Sequence, residues 1–194
     1  EEIVISLKEK NYAKFDSLIE TTYDFHIEIL ENLFPEKHYK IYTELEAVFD
    51  KLKEKKEGFF SENIAYEYDQ IVSLGEVLST LIVDAYLREL GEKSIWLDSR
   101  KVLRTDNKYQ DATVDWQKTE ELVSLNVLPL FFESDTLITQ GFIGHTAEGF
   151  TTTLGREGSD YTAGIFAYCL GAKSVTIWKD VPGMLNADPK YFEN

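Results

Sequence analysis

The sequence predicts an α/β protein: a long helical N-terminal half over residues 1–90, then a mostly parallel sheet with helices on its faces over residues 91–194. Three observations carry this. Up to position 90, apolar residues recur at spacings of three and four. Beyond Gly91, short strand-like apolar runs alternate with helix-length stretches, as in strands buried on two faces. Polar, glycine-containing turns follow those runs, where open parallel sheets bind ligands.

Residues 12–34 place Phe15, Leu18, Ile19, Thr22, Phe25, Ile29 and Leu33 on one helix face, with Asp16, Glu20, Asp24, Glu28 and Glu31 largely opposite. Pro35 ends that helix. Residues 39–56 repeat the pattern through Ile41, Leu45, Val48, Phe49 and Leu52, and Gly58 stops it. Ser61 is a suitable N-cap for a third helix reaching about Leu90, closed by Gly91. Residues 94–97, 128–132, 137–143 and 173–178 read as strands, and 116–125 and 159–170 as helices. The turn at 139–144, the GREGSD loop at 155–160 and the KDVPG turn at 179–183 all follow strands, so they are expected on one rim.

The formal net charge is −15, and residues 1–90 hold 10 basic and 20 acidic side chains. Such a surface repels phosphate backbones and anionic membranes, which argues against nucleic acid and membrane partners. No apolar run reaches the ~20 residues that span a bilayer. Cys169 is the one cysteine, which excludes an internal disulfide and suits a reducing cytoplasm; its plain role is a small buried hydrophobe. His26, His38 and His145 have no metal-ligand spacing.

The run 151–163, TTTLGREGSDYTA, is a polar loop feeding a helix. Free N–H groups and the helix dipole make such a place an anion site. Arg156 can grip a carboxylate or phosphate with two parallel hydrogen bonds. Ser159 can cap the helix or touch a ligand, and Asp160 favours the dipole. The loop alone reads equally as a ligand site or a capped turn. Gly75 lies inside a helix at a cost of about 1 kcal/mol, which calls for a packing or ligand reason. Beside it, Glu76 sits among Ile71, Val72, Leu74, Val77 and Leu78 and needs a partner if buried: an internal Arg or Lys, or a substrate ammonium.

Together these segments resemble the aspartate kinases, within the amino-acid kinase family. TTTLGREGSDYTA resembles their TTLGRGGSDxTA signature, and YDQIVSLGEVLST (68–80) their helix bearing S-x-GE. TQGFIG (139–144) resembles their strand end, RKVLRTD (100–106) another stretch, and WKDVPGMLNADP (178–189) their nucleotide segment W-T-D-V-x-G-x-Y-T-x-D-P. The motifs are collinear and cover nearly the whole chain. The resemblance implies a three-layer αβα sandwich, truncated here, and phosphorylation of the β-carboxylate of L-aspartate by MgATP. That reaction opens lysine, threonine and methionine biosynthesis in the cytoplasm. It implies that Arg156 holds the substrate α-carboxylate and Glu76 its ammonium, with Phe142 and Ser159 lining the pocket. Asp160 is then near the transferring phosphoryl group, orienting a lysine or the metal. Trp178, Lys179, Asp180, Gly183, Leu185 and Asp188 form the ATP site, and the complete protein is expected to be a homodimer.

Several positions depart from that pattern. The family's opening strand and K-F-G-G-T-S phosphate loop, the end of its kinase domain and its ACT regulatory domains have no counterpart in residues 1–194, so the chain is expected to be a fragment, inactive alone. Glu157 stands at a family glycine, Lys179 at a threonine, Leu185 at a tyrosine and Lys190 at an arginine. These changes motivate an alternative: an aspartate-binding regulatory module that has lost turnover.

Overall fold

A computed structural model describes residues 1–34, 36 and 40–179. Four helices come first: α1 (Glu2–Lys8), α2 (Tyr12–Leu33), α3 (Lys40–Glu57) and α4 (Ile64–Glu89). Then follow β1 (Ser94–Leu97), a 3-10 turn (Ser99–Lys101), α5 (Trp116–Asn126) and a second 3-10 turn (Leu128–Phe132). β2 (Thr136–Thr139), β3 (Ile143–His145), β4 (Thr151–Thr153) and α6 (Gly158–Leu170) complete the described fold. β1 and β2 pair in parallel, Ser94 opposite Thr136 through Leu97 opposite Thr139. β3 and β4 pair antiparallel, with Ile143 opposite Thr153.

Local chemistry sets the helix starts. Asn11, Asn63 and Asp115 each accept a hydrogen bond from the backbone N–H three residues on, capping α2, α4 and α5. The start expected at Ser61 moves to Asn63 because Ser61 is engaged in the turn that leads into the helix. Its Oγ accepts from the Asn63 N–H (3.1 Å), and its own N–H donates to buried Glu67 (2.8 Å). Gly91 ends α4 as expected: its N–H donates to Arg88 O and that of Glu92 to Leu87 O, the paired bonds of a helix-closing turn.

α4 is the centre of the molecule. It packs on α1, α3, β1, β2 and β4, burying Ile71, Leu74, Val77, Leu78, Leu81 and Ile82. By length and composition α4 is apolar enough to cross a membrane, contrary to the reading of the sequence. Its buried Glu67, Asp69 and Asp84 nevertheless all have partners within the fold: Lys55, Thr153 and Ser94 respectively. That identifies it as a core helix. The buried stripe of α2 runs through Phe15, Ile19 and Leu30, with Tyr23 and His26 against Phe49, so Phe25 lies outside it at 60% exposure.

Three strand expectations are corrected. Residues 128–132 form a 3-10 turn because Pro129 cannot donate to a ladder and suits the start of a helix; Phe132 is 94% exposed. The run 137–143 splits, because Phe142 adopts φ +68° and turns the chain before Ile143 starts an antiparallel strand. Residues 173–178 join no ladder among the described residues. Cys169 is only partly buried, between two small apolar clusters.

Candidate functional site

The site is built where four sequence motifs meet. Asp69 and Gln70, in the first half of α4, hold β4. The buried Asp69 carboxylate accepts from the Thr153 N–H (2.9 Å), Thr153 Oγ1 (2.8 Å) and the Gln110 N–H (3.0 Å). Gln70 Nε2 donates to Thr151 O (2.7 Å). Burial raises the Asp69 pKa, and the hydrogen bonds from Gln110 and Thr153 only partly oppose it. β4 delivers the chain into the GREGSD loop. On its other side β3 is fixed by the 100–106 segment: Arg104 Nε donates to His145 Nε2 (3.1 Å), and His145 Nδ1 lies 3.0 Å from Leu103 O. Burial first, then the Arg104 charge, lower the His145 pKa, which keeps the ring neutral.

The turn at 140–142 is placed by a buried polar relay. Gln140 is fully buried; its Oε1 accepts from the Ser99 N–H (2.8 Å) and its Nε2 donates to Thr80 Oγ1 (2.7 Å). Trp96 Nε1 donates to the same hydroxyl (3.0 Å), which itself bonds Glu76 O (3.0 Å). The relay therefore ties the α4 turn that carries Glu76 to the residue preceding Gly141 and Phe142. A Cβ at Gly141 would lie 2.9 Å from Ser159 Cα, and one at Gly158 would lie 2.6 Å from the Phe142 ring. Only glycine at both positions lets this turn rest on the start of α6. Phe142 N–H donates to Thr162 Oγ1 (2.9 Å), locking the seat.

α6 begins at Gly158 without a side-chain cap. Ser159 lies one residue inside the helix, so the capping role open to it in the sequence is not taken. Instead it lines a cavity of about 580 Å³ with Thr139, Gln140, Gly141, Thr162 and Phe166. Arg156 is exposed in the loop and makes no ion pair among the described residues. Asp160 accepts from Lys179 Nζ at 2.7 Å, and Glu157 from the same nitrogen at 3.0 Å. Trp178 is 90% exposed. Asp180, Gly183, Leu185 and Asp188 lie outside the described residues.

Glu76 is half-buried, and burial alone drives its carboxyl pKa upward. No internal Arg or Lys reaches it among the described residues. Gly75 beside it has no heavy atom within 4 Å of a Cβ position, so neighbouring side chains do not require this glycine.

The model of the Amino acid kinase family matches residues 22–194. The chain belongs to this family. Over 122 residues it is 48% identical to lysine-sensitive aspartokinase 3 of Escherichia coli, covering 63% of this chain and 27% of that protein. The aspartokinase of Chlamydia trachomatis is 31% identical over 94% of this chain and 40% of its own length. The crystal structure of E. coli aspartokinase III with aspartate and ADP superposes with a TM-score of 0.80 at 34% identity, over 97% of this chain and 42% of that one. The amino-acid kinase fold is thus present in a chain spanning less than half the length of these relatives. The sequence missed Asp69, Gln70 and Gln140 as organisers of the site. The signal was there: polar residues at otherwise apolar positions of buried elements need partners.

Proposed function

We propose that this chain is part of an aspartate kinase, which transfers the γ-phosphoryl group of ATP to the β-carboxylate of L-aspartate and gives aspartyl phosphate in the cytoplasm. The observation that carries the reading is Glu76, a half-buried carboxylate that no Lys or Arg reaches among the described residues. An amino acid's ammonium is the partner its chemistry calls for. Arg156 then takes the α-carboxylate through its guanidinium fork, and Phe142 and Ser159 close the pocket. The E. coli neighbour was solved with aspartate and ADP, which supports aspartate and an adenine nucleotide as the ligands of this reading.

The nucleophile is already ionised, so the reaction needs no general base. Its barrier is one anion approaching another, and the protein's contribution is positioning and positive potential. The uncapped α6 N-terminus supplies oriented N–H groups. Asp160 sits at the junction of the loop and the segment 178–179 and keeps a cation there. Trp178, Lys179, Asp180, Gly183, Leu185 and Asp188 are proposed for the nucleotide. Among the described residues no three His, Cys, Asp or Glu side chains converge as a metal cluster. The loop does offer carboxylate oxygens, which fits a Mg²⁺ held mainly by ATP phosphates. When bound, that ion neutralises phosphate charge. The complete protein is proposed to be a homodimer, and the 194-residue chain to be inactive alone.

The test is hydroxamate trapping of acyl phosphate from ATP, Mg²⁺ and L-aspartate with the complete gene product. Aspartate-dependent product is expected, and Arg156→Ala should lower kcat/KM by about tenfold to a hundredfold, the worth of a charged hydrogen-bonded grip. A folded protein that binds aspartate but yields no acyl phosphate would overturn the kinase reading in favour of the regulatory module.

A further inference from the structure

Two positions depart from the aspartate kinase pattern and touch each other. Lys179 Nζ lies 3.0 Å from Glu157 Oε2 and 2.7 Å from Asp160 Oδ2, across 22 and 19 residues of sequence. Glu157 holds this place with a left-handed backbone, φ +58°, a conformation that glycine adopts freely and a side chain resists. The side chain at 157 is therefore not neutral filling. It brings a second carboxylate to the mouth of an anion site, where Asp160 already supplies one. In a pocket meant for a dicarboxylate and a polyphosphate, two uncompensated carboxylates repel both substrates.

We propose that Glu157 and Lys179 are a matched pair, and that Lys179 is a positioning residue. It ties the GREGSD loop to the segment running on toward Asp180 and offsets one of the two negative charges that Glu157 and Asp160 bring beside the incoming anions. This rests on the aspartate kinase reading above. The pairing predicts that threonine at 179 is tolerated beside glycine at 157 but not beside glutamate. The pair is exposed, with 41% of the Lys179 side chain accessible, so its effect is moderate and sensitive to salt.

The experiment uses four complete gene products: wild type, Glu157→Gly, Lys179→Thr and the double variant. KM for aspartate and for MgATP is measured by hydroxamate trapping. Lys179→Thr is expected to raise KM for the anionic substrates about three- to fivefold with little change in kcat, as for loss of an exposed charge pair. In the Glu157→Gly background the same change should cost less than about twofold. Lys179→Arg should recover most of the affinity lost by Lys179→Thr, and the wild-type advantage should shrink at high salt. Equal effects of Lys179→Thr in both backgrounds, or none in either, would overturn the proposal. Failure of the kinase reading shows separately, as absence of acyl phosphate from wild type. In that event the same four proteins are compared by thermal unfolding: additive shifts in Tm overturn the tie, and coupled shifts uphold it.

Discussion

Glu76 is where single-residue chemistry and function meet. Burial holds its carboxyl pKa above the usual value of 4.5, so it takes up a proton more readily than an exposed glutamate. Only the ionised form attracts an ammonium. KM for aspartate should therefore rise on acidification at a pH above the ordinary glutamate range, before the substrate's own carboxylates titrate. Glu76→Gln should raise KM at neutral pH by about tenfold or more and abolish that acid limb. Initial rates against aspartate concentration across a pH series check both. A Gln variant that keeps the wild-type pH profile would remove Glu76 from the ammonium site. The sequence exposed this residue plainly: a carboxylate beside a mid-helix glycine in an apolar run. It did not reveal that no cation among the described residues reaches it, because pairing across the fold depends on which elements pack together.

Elements were legible where one local signal set them. Helices with three-four spacing and a capping Asn or Asp fall within a residue or two of expectation. Strand assignments failed where a short apolar run had two uses. At 128–132 Pro129 turned such a run into a 3-10 turn, and at 137–143 the left-handed Phe142 cut one strand in two. What fixes the elements relative to one another is polar and long-range: Asp69 and Gln70 grip β4, and Gln140 joins α4 to the 140–142 turn. No sequence window contains those pairs. Replacing Asp69 with Ala strands two buried donors on Thr153 and a part-buried one on Gln110, at a cost of about 3 kcal/mol. For a chain of this size that lowers Tm by roughly 6–12 °C. Asp69→Asn, which keeps the shape and one acceptor, should lose less. Differential scanning calorimetry of the two variants reads the difference, and a Tm near wild type for Asp69→Ala would mean that α4 and β4 are held by apolar packing instead.

At the scale of the whole molecule, apolar surface and charge oppose each other. Among the described residues β2 has β1 as its one ladder neighbour. Beside it opens the 580 Å³ cavity, with Leu97, Val127, Phe131, Leu137 and Leu170 in its walls. Unpaired strand edges next to apolar surface favour pairing with a second copy. A net charge of −15 acts the other way, since like-charged chains repel over a Debye length of about 8 Å at physiological salt. The balance predicts that the 194-residue chain self-associates more strongly as salt rises, the reverse of an assembly held by ion pairs. Sedimentation velocity over a range of salt and protein concentrations measures this. Sedimentation coefficients that grow with both are expected. A compact monomer that stays unchanged at high salt would show that this edge and its cavity are already satisfied within one chain.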